Sequence, residues 1–286
     1  MEKLKIAIQK DGRLSEKSLD LIRESGIVHN QDSKRKLISL GENFPVEILY
    51  LRDDDIPQYV ADAVADIGIV GENEVLEKER KVEIVERLGF AKCRLSLAVP
   101  QSDEYEGPAY FNGKKIATSY PNILKKFLNS NKLNAEIHEI SGSVEIAPGI
   151  GLADAIFDIV STGSTLIHNR LKEVEVVIRS EAIVITSPGL NAAKHQILND
   201  LLFRFKAVRK SKNNKYILLN APNENLDKIV KLLPGIKSPS VLPLYESGWS
   251  SVHSVVNEDD FWELINKLKA LGAQGILVIP IEKMIA

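Results

Sequence analysis

The chain has 286 residues, which is enough for two or three domains. Hydrophobic residues make up 44% of it and charged residues 27%, values that are ordinary for a soluble globular protein. The formal net charge of −2 gives no electrostatic reason to expect nucleic acid or an acidic membrane surface as a partner.

Cysteine usage and the pattern of apolar residues narrow the class of protein further. Cys93 is the only cysteine, which excludes an intrachain disulfide, and its place in an apolar run favours an inert core residue. The first residues form no long apolar segment, and no apolar run reaches membrane-spanning length. No Cys/His cluster has the spacing of a zinc site. We therefore expect a cytoplasmic protein.

Short apolar runs alternate with amphipathic helical patterns, which is typical of α/β architecture. The predicted elements in chain order are strand 4–8, helix 14–25, strand 46–51, helix 56–64, strands 66–70, 93–99 and 116–119, helix 121–129, strands 135–140, 157–160 and 174–185, and helix 192–210. The strand at 174–185 is long enough to return the chain from a second lobe to the first. We expect a first lobe at 1–92 and 182–210 and a second at 93–181.

The C-terminal part has a rhythm of its own. Residues 210–215 carry no apolar side chain and predict a linker. Strands at 216–219, 241–244, 251–256 and 276–279 alternate with helices at 224–233 and 259–271. The order β-α-β-β-α-β predicts a ferredoxin-like domain at 211–286. That fold often serves as a small-molecule sensor, although the fold alone does not establish the role.

The most informative segment is 157–166, where an apolar strand leads through a Ser/Thr/Gly turn into helical residues. Backbone N–H groups and hydroxyls in such a turn can hold a phosphate, and a glycine allows close approach. The residues concerned are Ser161, Thr162, Gly163, Ser164 and Thr165. An ordinary Ser/Thr-rich turn after a strand remains the alternative for this segment alone.

Asp154 and Asp158 precede that turn. Carboxylates bind hydroxyls or a metal ion rather than phosphate, so the ligand should carry a phosphate and a diol, as a ribose 5-phosphate group does. The loop resembles that of enzymes which use phosphoribosyl diphosphate (PRPP). In type I phosphoribosyltransferases two adjacent acids precede a Thr-Gly turn. Here Ile159 follows Asp158, which favours a different fold with a similar loop.

Other loops follow predicted strands and offer further binding groups. Lys10 and Arg13 follow the first strand, where ligands of α/β folds bind and where Arg13 could clamp a phosphate. Gly71 and Glu72 end a buried strand and leave room for a flat ring such as a purine. A surface turn and tight strand packing are the respective alternatives. The five histidines are scattered, so an acyl-transfer triad is not expected.

Taken together, the motifs resemble the ATP phosphoribosyltransferase family in its long form, along the whole chain. The motifs that carry the resemblance are Gln9–Leu14, Arg52–Pro57, Asp66–Glu72, Cys93–Ala98, Ala117–Pro121, Gly142–Glu145 and Gly151–Thr165. Seven motifs in order are specific where any one would not be.

The resemblance implies the first step of histidine biosynthesis, in which ATP and PRPP give N1-(5-phosphoribosyl)-ATP and diphosphate. It also implies Mg²⁺, feedback inhibition by histidine, a homo-oligomer from dimer to hexamer, and a two-lobed catalytic part like a periplasmic binding protein. By resemblance, Asp154, Asp158 and Ser161–Thr165 hold PRPP, and Glu145 faces the ribose or the magnesium. Lys10, Arg13, Asp66, Gly71, Glu72 and Arg94 line the ATP side. The direct metal ligands stay undefined.

The chemistry agrees with such a site, because adenine N1 is already a nucleophile and catalysis is mainly positioning. Competing classes are a solute-binding protein, a ligand-sensing effector domain and a type I phosphoribosyltransferase. The first should carry a signal peptide, the second a DNA-binding module, and the third adjacent acids. A cytoplasmic small-molecule sensor without catalysis is the remaining alternative.

We expect the C-terminal domain to bind histidine. Ser238, Ser240, Val241 and Leu242 enter a strand from a turn and offer hydroxyls and backbone groups to an amino acid. The turn before Ala273 has little bulk and could admit an imidazole between neighbouring subunits. A domain used only for assembly is the alternative, since such sheets often pair at their edges.

Overall fold

The computed structural model describes residues 2–29, 37–233 and 235–285. Contacts divide the chain into two compact units, Met1–Asp20 with Ile27–Leu198, and Leu21–Gly26 with Asn199–Ala286. In the described ranges no helix is both long enough and apolar enough to cross a membrane.

The first sheet of the larger unit is mixed, with parallel pairings at its centre and antiparallel pairings toward its edges. The sheet and its helices comprise β1 (Leu4–Gln9), α1 (Arg13–Glu24, which ends in the smaller unit), β2 (Ile38–Leu40), β3 (Val46–Leu51), α2 (Ile56–Ala61), β4 (Ile67–Gly71), α3 (Glu72–Lys78) and β5 (Glu83–Arg87). The strand order is β2-β3-β1-β4, then β11 (Ala182–Thr186) and β5. β1 is parallel to β3 and β4, whereas β11 is antiparallel to β4. We call this sheet with its helices the first lobe.

The second sheet forms the second lobe of the same unit. The elements are β6 (Cys93–Pro100), β7 (Lys115–Thr118), α4 (Pro121–Ser130), β8 (Glu136–Glu139), β9 (Ala155–Val160), α5 (Ser164–His168) and β10 (Leu171–Ser180). The strand order is β10-β6-β9-β7-β8. β7 is parallel to β8 and β9, and β6 is antiparallel to β9 and β10. Leu95, Leu97 and Phe157 are buried with the apolar side of α4.

The return from the second lobe to the first differs from the single predicted strand at 174–185. Two strands replace it: β10 belongs to the second sheet and β11 to the first, with Glu181 between them. Every residue of β11 is buried, so its continuous apolar pattern reflects a central position in the first sheet.

The C-terminal unit contains a ferredoxin-like sheet, as predicted. Its elements are α6 (Ala192–Lys212, which begins in the larger unit), β12 (Asn214–Pro222), α7 (Leu226–Leu232), β13 (Ser240–Pro243), β14 (Trp249–Asn257), α8 (Phe261–Ala270) and β15 (Gln274–Pro280). The strand order is β13-β14-β12-β15, and each described pairing is antiparallel. Ile217, Val252 and Leu268 are fully buried in its core.

The predicted linker at 210–215 is wrong. α6 runs to Lys212, and Asn213 alone separates it from β12. Ser211 is buried, and its hydroxyl donates to the carbonyls of Val208 and Glu282 at 2.8 and 2.9 Å. The basic residues that read as a linker lie in the last turn of the helix, where cations interact favourably with its dipole.

Candidate active site

The phosphate-loop candidate lies where β9 ends at Val160 and α5 begins at Ser164. Gly163 has φ +83°, a left-handed conformation that side chains disfavour. Thr162 and Ser164 place their hydroxyl oxygens 3.1 Å apart. Leu166 is buried and anchors the turn, whereas the hydroxyl residues before it are exposed. The turn therefore exposes its hydroxyl residues, as an anion site needs.

Asp158 lies near this end of β9 and is half-buried. Burial raises the pKa of its carboxyl to about 6, a hydrogen bond from the Ile159 backbone opposes the rise, and the charge of Glu145 adds to it. Glu145 is in a short 3-10 helix, Val144–Ile146. The charges of two of the predicted acids thus interact, in a setting where a cation or hydroxyl donors would relieve their repulsion.

Arg94 was expected on the ATP side, but it contacts the phosphate loop. It lies on β6 opposite Val160, and its Nη1 donates to the carbonyl of Ser161 at 3.1 Å. Its Nε and Nη2 donate to the two carboxylate oxygens of Glu173, at 2.5 and 2.6 Å. Sequence reasoning missed Glu173, because nothing local to that residue indicates a partner 79 positions away.

Asp66 and Asp154 do not lie with the other predicted residues. Each directly precedes a strand, β4 or β9, and its carboxylate accepts a 2.8 Å hydrogen bond from the backbone N–H of the neighbouring parallel strand, at Lys5 or Lys115. The backbone N–H of Asp66 donates in turn to the carbonyl of Lys5, and that of Asp154 donates to the carbonyl of Lys115. Asp66 also forms a 2.8 Å ion pair with Lys194.

This arrangement corrects the prediction for both acids. At roughly 3.3 Å per residue, Asp154 is about 23 Å along the chain from Ser161, and Asp66 about 17 Å from Gly71. Both carboxylates stand at the starts of strands, whereas the predicted loops follow the strand ends. The equivalent bonds in the two lobes indicate that these acids fix the registers of adjoining parallel strands.

The predicted ATP side follows the ends of β1 and β4, which are parallel neighbours. Lys10 and Arg13 are exposed around a turn in which Gly12 has φ +97°. Glu72 is already paired, because Arg87 Nη1 donates to it at 2.7 Å. A Cβ on Gly71 would collide with the side chain of Asn73, so packing explains this glycine. Lys10 and Arg13 therefore stay the more open pair of candidates.

Glu74 and Tyr120 link the two lobes and were missed by the sequence analysis. The Tyr120 hydroxyl donates to Glu74 at 3.1 Å, and the Asn73 amide donates to the same carboxylate oxygen at 2.9 Å. Glu74 is 6% exposed. Burial, followed by the charge of Asp53, raises its pKa to about 7.

The charge of Asp158 on β9 also acts on the hydroxyl of Tyr120. Burial raises the pKa of its hydroxyl, followed by the charges of Glu74 and then Asp158. This tyrosine therefore lies where the ends of both sheets approach each other. In the sequence, the signal that could have indicated Glu74 was its three-residue spacing from Glu77, which puts both acids on one face of a helix. Acids on a short helix, however, usually indicate a solvated face.

A magnesium site in this protein would draw its protein ligands from carboxylates. Among the described residues, no group of three His, Cys, Asp or Glu side chains is close enough to form a protein-only site. Magnesium usually takes one or two carboxylates plus substrate phosphates and water. The pair Asp158 and Glu145 suits that mode, since it supplies hard oxygen donors beside the phosphate-loop candidate.

The predicted histidine contacts are divided between two edges of the C-terminal sheet. Ser240, Val241 and Leu242 lie on the exposed edge strand β13, and Ser238 precedes it. Ala273 is buried just before β15, at the opposite edge. One chain therefore does not bring both groups together.

The chain is similar to known proteins along almost its whole length. The family model for ATP phosphoribosyltransferase matches residues 52–207, and the model for the HisG C-terminal domain matches residues 211–283. ATP phosphoribosyltransferases from Bacteroides fragilis and Bacteroides thetaiotaomicron are each 60% identical over 282 residues, which is 99% of this chain and of theirs. The Cytophaga hutchinsonii enzyme is also 60% identical, over 99% of this chain and 98% of its own.

Solved structures agree with the fold. A chain of the ATP phosphoribosyl transferase (HisG:HisZ) complex from Thermotoga maritima superposes with a TM-score of 0.62 at 30% identity, covering 71% of this chain and 96% of that one. A histidine kinase sensor domain with similarity to periplasmic binding proteins gives 0.50 at 10% identity, covering 73% and 91%. This second likeness concerns the fold alone. The chain therefore belongs to the ATP phosphoribosyltransferase family, in the long form that carries a C-terminal domain.

Proposed function

We propose that this chain joins the adenine N1 of ATP to C1 of the PRPP ribose and releases diphosphate, the first step of histidine biosynthesis. The observation that carries the site assignment is the group at the end of β9. There the Ser161–Thr165 turn, Asp158 and Glu145 lie together, and Arg94 contacts the first carbonyl of the turn. A binding protein without catalysis is not favoured, because the chain matches members of an enzyme family over its full length.

On the PRPP side, the turn binds the 5-phosphate through backbone N–H groups and the hydroxyls of Ser161, Thr162, Ser164 and Thr165. Gly163 keeps the backbone in its left-handed conformation and leaves the approach open. Asp158 accepts hydrogen bonds from the ribose hydroxyls. Glu145 shares that role or faces the cation.

On the ATP side, Lys10 and Arg13 supply cations for the triphosphate at the end of β1. Gly71 is the last residue of the parallel strand β4 and Glu72 is the first of α3. In this proposal both line the purine side. Tyr120 and Glu74 join this group to the PRPP side, since Tyr120 contacts Glu74 and is close enough to Asp158 to feel its charge.

The chemistry needs little from the protein beyond placement and charge. The N1 lone pair forms the new bond to C1, while the bond from C1 to diphosphate oxygen breaks and its electrons leave with the diphosphate. The acids stabilise positive charge that develops on the ribose, and the basic residues stabilise the departing anion. Holding both substrates in line reduces the entropic cost of their encounter.

Magnesium fits the donor set of Asp158 and Glu145, which would hold it together with the substrate phosphates. When bound, the ion would neutralise charge on the diphosphate. Calorimetric titration of PRPP tests this assignment. We expect binding that strengthens with Mg²⁺ in the wild type and is weakened in both Asp158→Asn and Glu145→Gln. Unchanged affinity in both variants would contradict it.

The C-terminal domain is proposed to bind histidine and inhibit the catalytic lobes. The two groups of predicted contacts lie at opposite sheet edges, so a complete site requires Ser238–Leu242 of one chain and Ala273 of another. The exposed edge strand β13 supports pairing between chains in a homo-oligomer. Division into catalytic lobes and a regulatory domain, and a cytoplasmic location, stay predictions.

Histidine titration of the full-length chain tests the regulatory role. We expect binding at millimolar or lower concentration together with loss of turnover. Turnover that persists without histidine binding would leave the domain with assembly alone.

A further inference from the structure

We propose that Glu173 positions the phosphate loop by acting through Arg94, an inference that rests on the proposed PRPP site. Glu173 lies on β10 and Arg94 on β6, which are neighbouring strands. Both side chains are about a quarter exposed. Two parallel hydrogen bonds, of 2.5 and 2.6 Å, join the guanidinium to both carboxylate oxygens. Such a bidentate pair fixes the plane of the guanidinium as well as its position.

Among the described residues, the fixed guanidinium donates a further hydrogen bond to the loop. Arg94 Nη1 donates to the carbonyl of Ser161 at 3.1 Å. In a trans peptide unit the C=O and the next N–H point in opposite directions. Holding the Ser161 carbonyl toward Arg94 therefore turns the N–H of Thr162 away from it. That N–H belongs to the turn that holds the phosphate, so Glu173 determines where a phosphate donor points.

Ser96 also binds Glu173. Its buried hydroxyl donates to Glu173 Oε1 at 2.6 Å, and Ser96 lies opposite Asp158 in the register of β6 with β9. The hydrogen bonds from Arg94, and then that from Ser96, lower the pKa of Glu173 against the effect of burial. The carboxylate therefore remains ionised at neutral pH and holds Arg94 as one half of an ion pair.

A purely structural role would be to tie β10 to β6, and the chain offers a matched control for it. Glu175 lies two residues further along β10, is also half-buried, and accepts a 2.6 Å hydrogen bond from the Tyr105 hydroxyl. Glu175→Gln makes the same chemical change on the same strand without touching Arg94. A loss of sheet stability would appear in both variants, whereas a loss of loop positioning would appear in Glu173→Gln alone.

The experiment compares full-length wild type, Glu173→Gln and Glu175→Gln by two readouts. With PRPP saturating in each case, hydrogen exchange of the backbone amides at 162–165 should be on the order of tenfold faster in Glu173→Gln, and the PRPP KM should rise by a similar factor, as for one lost charge-assisted hydrogen bond. The ATP KM should stay within about twofold in both variants. Equal loop exchange in the two variants, or an equal PRPP KM, would overturn the inference.

A double-mutant cycle tests whether Glu173 acts through Arg94. Arg94→Gln combined with Glu173→Gln should lose no more PRPP affinity than Arg94→Gln alone. Once Arg94 is replaced, Glu173 no longer has a guanidinium to position, so its own replacement should add nothing. Additive losses would overturn the inference. A wild type that binds PRPP without turnover would contradict the proposed function instead, while loop exchange with PRPP bound would still report whether Glu173 positions the turn.

Discussion

Glu77 Oε2 lies 3.0 Å from the backbone nitrogen of Ile123, so an acid of the first lobe caps a helix of the second. Its Oε1 accepts from the backbone N–H of Asn122 at 2.9 Å, and the Asn122 amide returns a 3.0 Å bond to the Glu77 carbonyl. The end of α3 and the start of α4 thus satisfy each other's backbone groups. This joint sets Tyr120, which immediately precedes α4, beside Glu74.

Glu77→Ala is expected to lower the free energy of unfolding by about 2–4 kcal/mol. It leaves two N-terminal N–H groups of α4 unpaired and removes a carboxylate that is only 5% exposed. Thermal and urea unfolding measure the change.

Glu79→Ala is the matched control, because it removes an exposed acid that directly follows α3 and pairs with Lys126 of α4. We expect a loss below about 1 kcal/mol there. Equal losses in both variants would show that the cap contributes no more than a surface ion pair.

Asp158→Asn is expected to reduce PRPP use roughly 10- to 150-fold and to leave ATP binding nearly unchanged. The asparagine keeps the shape of the side chain and loses the charge that accepts from ribose hydroxyls, a difference of about 1.5–3 kcal/mol. Steady-state kinetics with each substrate varied in turn measures it. Asp154→Asn makes the same change at the other end of β9 and should leave the PRPP KM unaffected. A larger loss at Asp154 would reverse our assignment of the two acids.

Glu74→Gln is expected to stabilise the folded protein at pH 8 and to have little effect below about pH 4.5. The folded pKa is raised to about 7 from 4.5, so between those values the folded chain retains a proton that the unfolded chain has lost. The stability of the wild type therefore falls as pH rises through that window, by up to about 3 kcal/mol. The glutamine oxygen still accepts from Asn73 and Tyr120 but carries no charge.

Urea unfolding across pH 4 to 8 checks this prediction, with Glu83→Gln, at an exposed position of β5, as the control for loss of one charge. A pH-independent difference between wild type and Glu74→Gln would contradict it.

Gly163→Val is expected to nearly abolish turnover while the protein stays folded. A Cβ there would meet no atom closer than 4.0 Å, so crowding is not the cause. The cost comes from φ +83°, which a β-branched residue resists, and from the side chain standing over the phosphate approach. Gly189→Val, at an open position without positive φ, is the control. A folded Gly163→Val with normal turnover would make the turn merely structural.

Local signals predicted much of the fold. The strand at 4–8 appears as β1, and the helix at 192–210 appears as α6 within two residues. α3 was missed because its acids hide a short helix that follows a buried strand directly. The break at Glu181 was missed because β10 and β11 are continuous in pattern, and only their partner strands tell them apart.

The site residues also fall into those that local sequence predicted and those that depend on distant partners. The turn at Ser161–Thr165 was predicted because its residues are consecutive and each has a local reason to be there. Glu74 and Glu173 were not, since their partners lie 46 and 79 positions away. Asp154 misled because proximity in sequence to the turn is not proximity in space along an extended strand.

The most direct measurement is diphosphate release by the full-length chain with PRPP, ATP and Mg²⁺, together with the mass of the organic product. We predict release only when ATP and PRPP are both present, and a product equal in mass to N1-(5-phosphoribosyl)-ATP. Release from PRPP that does not depend on ATP, or intact substrates after incubation with folded protein, would contradict the account.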